Sequence, residues 1–372
     1  MRTQSNDIRS RAEARFDLLP LLCAASYPAT FVVSVWLGGA WLALTPVYAF
    51  ALLPALDALV GEQPPPTHTA GSCRHRRSVL WPGALKLGAA AYPAIWFFGI
   101  VVLAADRSVF ERVLGAVSLG ILGGGMGMTI AHELSHSNDK LSRFWAELIT
   151  ALLGYPHFSA SHLSGHHRSV GTRDDPTTAR RGESLYAFVL RSVAGNLRRA
   201  WRLEARAAGA ASHRSGPRDA RTRWVLSLGA ALTVTALLGG FWGAAIFALQ
   251  SAAAIALFES INYVQHYGLE RRRDETGRPE PIGPEHAWSS HHVVSNWYLF
   301  NLGLHADHHL TSGRPFHELS PRDGSPRLPA DYSAMVLLAL VPPLFRRVMH
   351  ARLPTAAGSE TTAQPEKLAA RA

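Results

Sequence analysis

Cysteine is nearly missing from this chain. Two in 372 residues, Cys23 and Cys73, exclude a disulfide framework, a paired-thiolate zinc site and a cysteine-held iron–sulfur cluster. Cys23 falls in an apolar stretch and reads as a small buried hydrophobe. Charge is scarce too, at 17% of residues, and acid is scarcer than base: 27 Asp and Glu against 37 Lys and Arg, a net +10. A basic balance can signal nucleic-acid binding, but the arginines sit mostly in loops flanking apolar segments, which argues against that partner. No glycine-rich fingerprint for a flavin or nicotinamide is found, and no internal repeat. No cleavable signal peptide is read either, because the first sixteen residues are polar and the apolar run after them is too long.

What the chain has in quantity is apolar residues, 48% of the total, gathered in blocks. At roughly 20 residues per crossing, the blocks predict spans over about 18–38, 40–60, 85–104, 113–131, 224–239 and 241–265, with turns near Gly38-Gly39 and Gly239-Gly240. The expected organisation is a segment 1–17, one membrane-embedded catalytic domain over 18–352, and a disordered tail over 353–372, rich in Ala, Thr and charge. Arg2, Arg9, Arg11 and Arg15 hold the N-terminus in the cytoplasm by the positive-inside rule. Six crossings then put the loop 61–84, the segment 132–222 and everything after 266 on that side, each arginine-rich. The fold class expected is an all-α integral membrane protein, about six transmembrane helices under a cytoplasmic histidine-rich, metal-binding cap, in a bacterial inner membrane.

Three histidine clusters lie in that cap: His132 and His136; His162, His166 and His167; His305, His308 and His309. Residues three or four apart share a helix face, so each cluster can aim two or three nitrogens at one point. Zinc is satisfied by four ligands, so eight imidazoles suggest two metals. Imidazole with few carboxylates and no thiolate suits iron, copper or zinc. His266, at the cytoplasmic end of the sixth span, shares the depth of the clusters and is a ninth candidate. His132-Glu133-x-x-His136 alone is also the zinc-protease signature, with Glu133 as general base. Six further ligands are more than a protease needs, and Glu133 then orients an imidazole from outside the ligand set. Asp307 and the intramembrane Glu259 invite the same reading, whereas Asp57 lies near enough to the interface to reach water.

Between Ser184 and Ala207, Leu185, Phe188, Val189, Val193, Leu197 and Trp201 recur at helical spacing among arginines. Two readings stand: a helix in the membrane interface facing anionic lipid, or an amphipathic helix packed on the cap.

The clusters, with HxxxH, HxxxHH and HxxHH spacing, resemble the membrane fatty-acid desaturase and hydroxylase superfamily. Within it the chain resembles the alkane 1-monooxygenase branch, with its xylene-type methyl hydroxylases. Supporting words are Pro54 to Glu62, Ala131 to His136, Gly165-His166-His167 followed by Asp174-Asp175-Pro176, Asn262 to Gly268, and Leu304 to His309. The resemblance implies a six-helix fold and two non-haem iron ions held by His132, His136, His162, His166, His167, His266, His305, His308 and His309. It also implies O₂-dependent hydroxylation of a lipophilic alkane-like, alkyl-chain or terpenoid substrate, with electrons from rubredoxin or ferredoxin and its reductase. Gln265, Ser135 and His291 depart from the family pattern. A fatty-acid desaturase or oxidative decarboxylase, an intramembrane zinc protease and a metal or proton transporter are the alternatives. An acidic carrier is expected to dock near Arg271, Arg272 and Arg273, on the basic face.

Overall fold

A computed structural model describes residues 2–63, 80–210 and 219–353. The described residues are helical, with isolated bridges and no strand. His68, His75, His213 and the tail lie outside them.

Five helical stretches are long and apolar enough to cross a membrane: Leu19–Leu37, Gly39–Val60, Trp81–Ala104, Val109–Ser135 and Ala220–His266. The last, 47 residues, is broken at Gly239 and Gly240, where Gly240 takes a φ of 57°. A side chain at Gly243 would collide with the carbonyl of Thr235. Along a straight helix, residues eight apart are separated by about 12 Å, so the chain reverses here and the stretch forms two antiparallel arms. With large exposed apolar residues along the stretches, such as Trp36, Leu59, Leu87 and Leu237, this is an integral membrane protein.

The fourth stretch is the most enclosed, and its glycines explain why. A methyl group on Gly124 would sit 2.5 Å from the Ala254 carbonyl oxygen, and one on Gly120 2.5 Å from that of Gln250. Gly127 lies under the Tyr92 ring and Gly125 under Tyr27. Gly120 and Gly124 let the fourth stretch and the second arm approach backbone to backbone, and Gly125 and Gly127 make room for aromatic rings of the first and third stretches. The apolar cavity that Gly125 lines, with Tyr27, Leu257 and Tyr298, measures about 20 Å³, too little for an alkyl chain unless side chains move.

Beyond the spans lies a cap of shorter helices, fastened to them by buried polar contacts. Asp57 is fully buried, against the expectation that it reaches water. Its carboxylate accepts the amides of Val294 (2.7 Å) and Ser295 (2.9 Å) and the Ser295 hydroxyl. It caps helix Val293–Tyr298 from across the protein. Helix Leu185–Ala210 divides the apolar residues that the sequence pattern groups together. Its inner face buries Leu185, Phe188, Ser192, Asn196 and Ala200, while Tyr186, Leu190, Leu197 and Trp201 point outward. Arg271 is not a free docking cation: its guanidinium donates to the Glu280 carbonyl, and its amide donates to that of Gly171 at 2.7 Å.

Gly124→Val should cost about 1–3 kcal/mol through overpacking and lower the melting temperature in detergent. Gly229→Ala, on an open helix face with nothing within 4 Å, should leave it unchanged or raised. Equal melting temperatures for the two variants would contradict the close approach.

Candidate metal centre

Four elements bring the histidines together. Helix Met128–Ser135 ends the fourth stretch and carries His132, with His136 at its C-cap. His162 to His166 form one π turn, and His167 follows it. His266 closes the second arm, and His305, His308 and His309 occupy helix His305–Leu310.

The π turn decides which imidazoles meet. Residues five apart in an α-helix lie about 140° apart around its axis, whereas i to i+5 hydrogen bonding widens the turn and draws them together. Here the amide of His167 donates to the carbonyl of His162, and their Nε2 atoms lie 2.9 Å apart. His166 is left to face the other way.

Two groups result. His132, His136, His162, His167 and His308 form one, and His166, His266, His305 and His309 the other, each with its candidate ligand atoms within 4.8 Å of one another. The groups adjoin: the rings of His167 and His309, one from each, have centroids 4.8 Å apart. All nine histidines named from the sequence stand here. His157, His291, His292 and His317 belong to neither group. His286 instead pairs with Glu280 and His350 with the Tyr267 hydroxyl.

The donor set fits bound metal. Nε2 atoms face one another along His136, His162, His167 and His308 at 3.2, 2.9 and 3.1 Å, and along His266, His305 and His309 at 3.0 Å. Nε2 of His132 is buried with no hydrogen-bond partner. Convergent nitrogen lone pairs in an apolar interior are unfavourable unless an N–H or a cation meets them, and a cation can meet several at once. Two nitrogens bound about 2.1 Å from one ion lie about 3.0 Å apart at a right angle and about 3.4 Å apart at the tetrahedral angle. The observed spacings are of the size that shared ligation gives, and five candidate ligands exceed what tetrahedral zinc takes. Burial pushes the His136 imidazole down to about 4, so it is neutral and able to ligate at ordinary pH.

Around the nitrogens lies a polar layer. Asp175 accepts His166 Nδ1–H at 2.8 Å, which leaves His166 Nε2 as a lone pair toward its group. Burial opposes the charge of Asp175, but His166 and the Thr178 hydroxyl hold its carboxyl below the usual range. Glu259, fully buried, accepts from the Tyr155 hydroxyl (2.8 Å), the Ser192 hydroxyl (2.7 Å) and Asn262 (3.4 Å). With His162 and His166 it lines a cavity of about 10 Å³, the size of about one water. Glu133 accepts the Phe316 amide at 3.1 Å. Asp307 is gripped by Arg314 and Arg322, at 3.1 and 2.6 Å, and by the Ser320 amide. Both carboxylates therefore tie down the loop that follows the third cluster. Sequence reasoning missed Asp175 as the partner of His166, although it had singled out the word Asp174-Asp175-Pro176.

Asp175→Asn should weaken metal binding by about tenfold to a hundredfold, measured by chelator competition, while His132→Ala removes a ligand outright and lowers bound metal. His157→Ala should retain full metal content. Undiminished affinity in the Asp175 variant would detach it from the centre.

Comparison with known proteins agrees with this geometry. Residues 110–335 match the family model described as fatty acid desaturase. Alkane 1-monooxygenase 2 of Pseudomonas aeruginosa is 37% identical over 83% of this chain and 82% of its own length. An alkane 1-monooxygenase of Pseudomonas putida is 34% identical over 87% and 82%. The hydroxylase component of a xylene/toluene monooxygenase, XylM, also from Pseudomonas putida, is 28% identical over 68% of each chain. The chain belongs to the fatty acid desaturase family, in its alkane 1-monooxygenase branch of oxygen-dependent hydroxylases.

Proposed function

We propose that this protein is a membrane-bound non-haem diiron monooxygenase. It hydroxylates an unactivated terminal or methyl C–H bond of an alkane-like, alkyl-chain or terpenoid substrate. The observation that carries the reading is the division of nine imidazoles into adjoining groups of five and four, in a chain related to alkane 1-monooxygenases. Each group is a candidate to hold one iron.

An unactivated C–H bond offers neither an acidic proton nor an electrophilic carbon, so side-chain acids and bases cannot attack it. Bound iron would supply the oxidising chemistry with O₂. The reaction consumes substrate, O₂, two electrons and two protons, and yields alcohol and water. The protein's residues provide the surroundings. Asp175 fixes the tautomer of His166, while Glu133, Asp307 and Glu259 hold the elements that aim the other imidazoles. The buried Phe158 ring packs against His132 and His162 and keeps water from that side of the cluster. Two cysteines cannot hold an iron–sulfur cluster, so electrons come from rubredoxin or ferredoxin with its reductase. The proposed setting is the bacterial inner membrane, with the cap in the cytoplasm.

Purified protein should carry about two irons per chain and no haem, by elemental analysis and optical spectroscopy. With carrier, reductase and NADH, a medium-length alkane should give the primary alcohol on gas chromatography. One zinc per chain, or full NADH-driven turnover by the chain alone, would refute the assignment. An alkene product would move it to the desaturases.

A further inference from the structure

Helix Leu185–Ala210 carries a second surface that the proposed chemistry does not use. Tyr186, Leu190, Leu197 and Trp201 are 44–76% exposed and stand four, seven and four residues apart. At about 100° per residue they fall within about 60° of one another, a single outward stripe. Arg198 and Arg202 are exposed beside it.

One end of the stripe runs into apolar surface on the two short helices near the C-terminus, and the other reaches the start of the fifth membrane-crossing stretch. At one end the Tyr186 hydroxyl donates to the Leu340 carbonyl at 2.8 Å, beside Leu337, Val341 and Leu344, each at least 41% exposed. At the other, Trp201 lies 6.5 Å from Trp224, and Arg221 sits over the Trp201 ring. Trp224 opens the fifth stretch, where Val225 and Leu226 are about 60% exposed. Tryptophan and arginine at the end of a span mark headgroup depth, so the stripe lies level with the boundary between acyl chains and headgroups.

We infer that this helix is seated on the bilayer: Leu190, Leu197 and Trp201 enter the interfacial layer, and Arg198 and Arg202 bind anionic phospholipid headgroups. The inference goes beyond the proposed reaction and does not depend on it. Energetics on the inner face point the same way. That face buries Ser192 and Asn196 among its apolar residues, because they hold Glu259 and Thr177. Their hydrogen bonds take the place of apolar burial on the inner face, and apolar contact with lipid on the outer face adds to the binding of the helix.

The test places a spin label at Leu190→Cys or Leu197→Cys in a Cys23→Ser, Cys73→Ser background, with the full chain in vesicles of phosphatidylcholine and phosphatidylglycerol. Retained metal content shows that each variant is folded. Collisions with oxygen, which partitions into lipid, should exceed those with a water-soluble nickel chelate at both sites, with the reverse at Arg278→Cys on an exposed loop. Nickel access at Leu190 equal to that at Arg278 would overturn the inference. So would shielding from both reagents with spin–spin broadening lost on dilution with unlabelled chain, which would put a second copy on the stripe. For the headgroups, Arg198→Gln and Arg202→Gln should each lower the enrichment of co-purified phosphatidylglycerol over phosphatidylcholine by about fivefold, the factor for one basic group near an anionic surface. An unchanged lipid ratio in the double variant would remove the headgroup contact.

Discussion

Nine imidazoles held within contact distance of one another in an apolar interior form the constraint on which the rest of this protein depends. Protonated, they would repel; neutral, each ring has a single N–H to share, which leaves lone pairs in the cluster unmet. Convergence on cations relieves both conditions, and convergence requires four separate elements to hold their registers together. The glycines of the fourth stretch and the Asp57 cap serve that requirement, one by letting two spans meet backbone to backbone and the other by pinning a cap helix to a span.

Much of this was legible in the sequence because it rests on short periodicities. Hydropathy blocks give helices that cross a membrane, and histidines three or four apart give a shared face. His266 was found from its depth at the end of an apolar run. Contacts between distant segments were not legible in the same way. Nothing local to Asp57 shows that it receives two amides 237 and 238 residues away. Nor does the neighbourhood of Glu133 show that it accepts the amide of Phe316.

Helix Leu185–Ala210 shows how an amphipathic pattern misleads when the buried partner is itself polar. The apolar residues were read as one face, but Glu259 requires donors, so Ser192 and Asn196 turn inward and some apolar residues turn out. Buried carboxylates survive here only where donors surround them. Asp175, Glu259, Asp57 and Asp307 all meet that condition, each with at least three. Arginine plays the same part in the loops, where Arg271 is spent on backbone carbonyls rather than left to the surface.

The π turn at His162–His166 has a consequence for how this gene can change. Wound as an ordinary α-helix with no residue lost, the segment from His162 to His167 would set those two imidazoles about 140° apart instead of side by side. His166 and His167 would then be carried away from the groups they join, though every histidine would still be present. A multiple alignment could show all the ligands intact in such a chain, and the protein would still be dead. The widened winding of that turn is therefore under the same selection as the imidazoles, and a substitution that restores α winding there should be as damaging as the loss of a ligand.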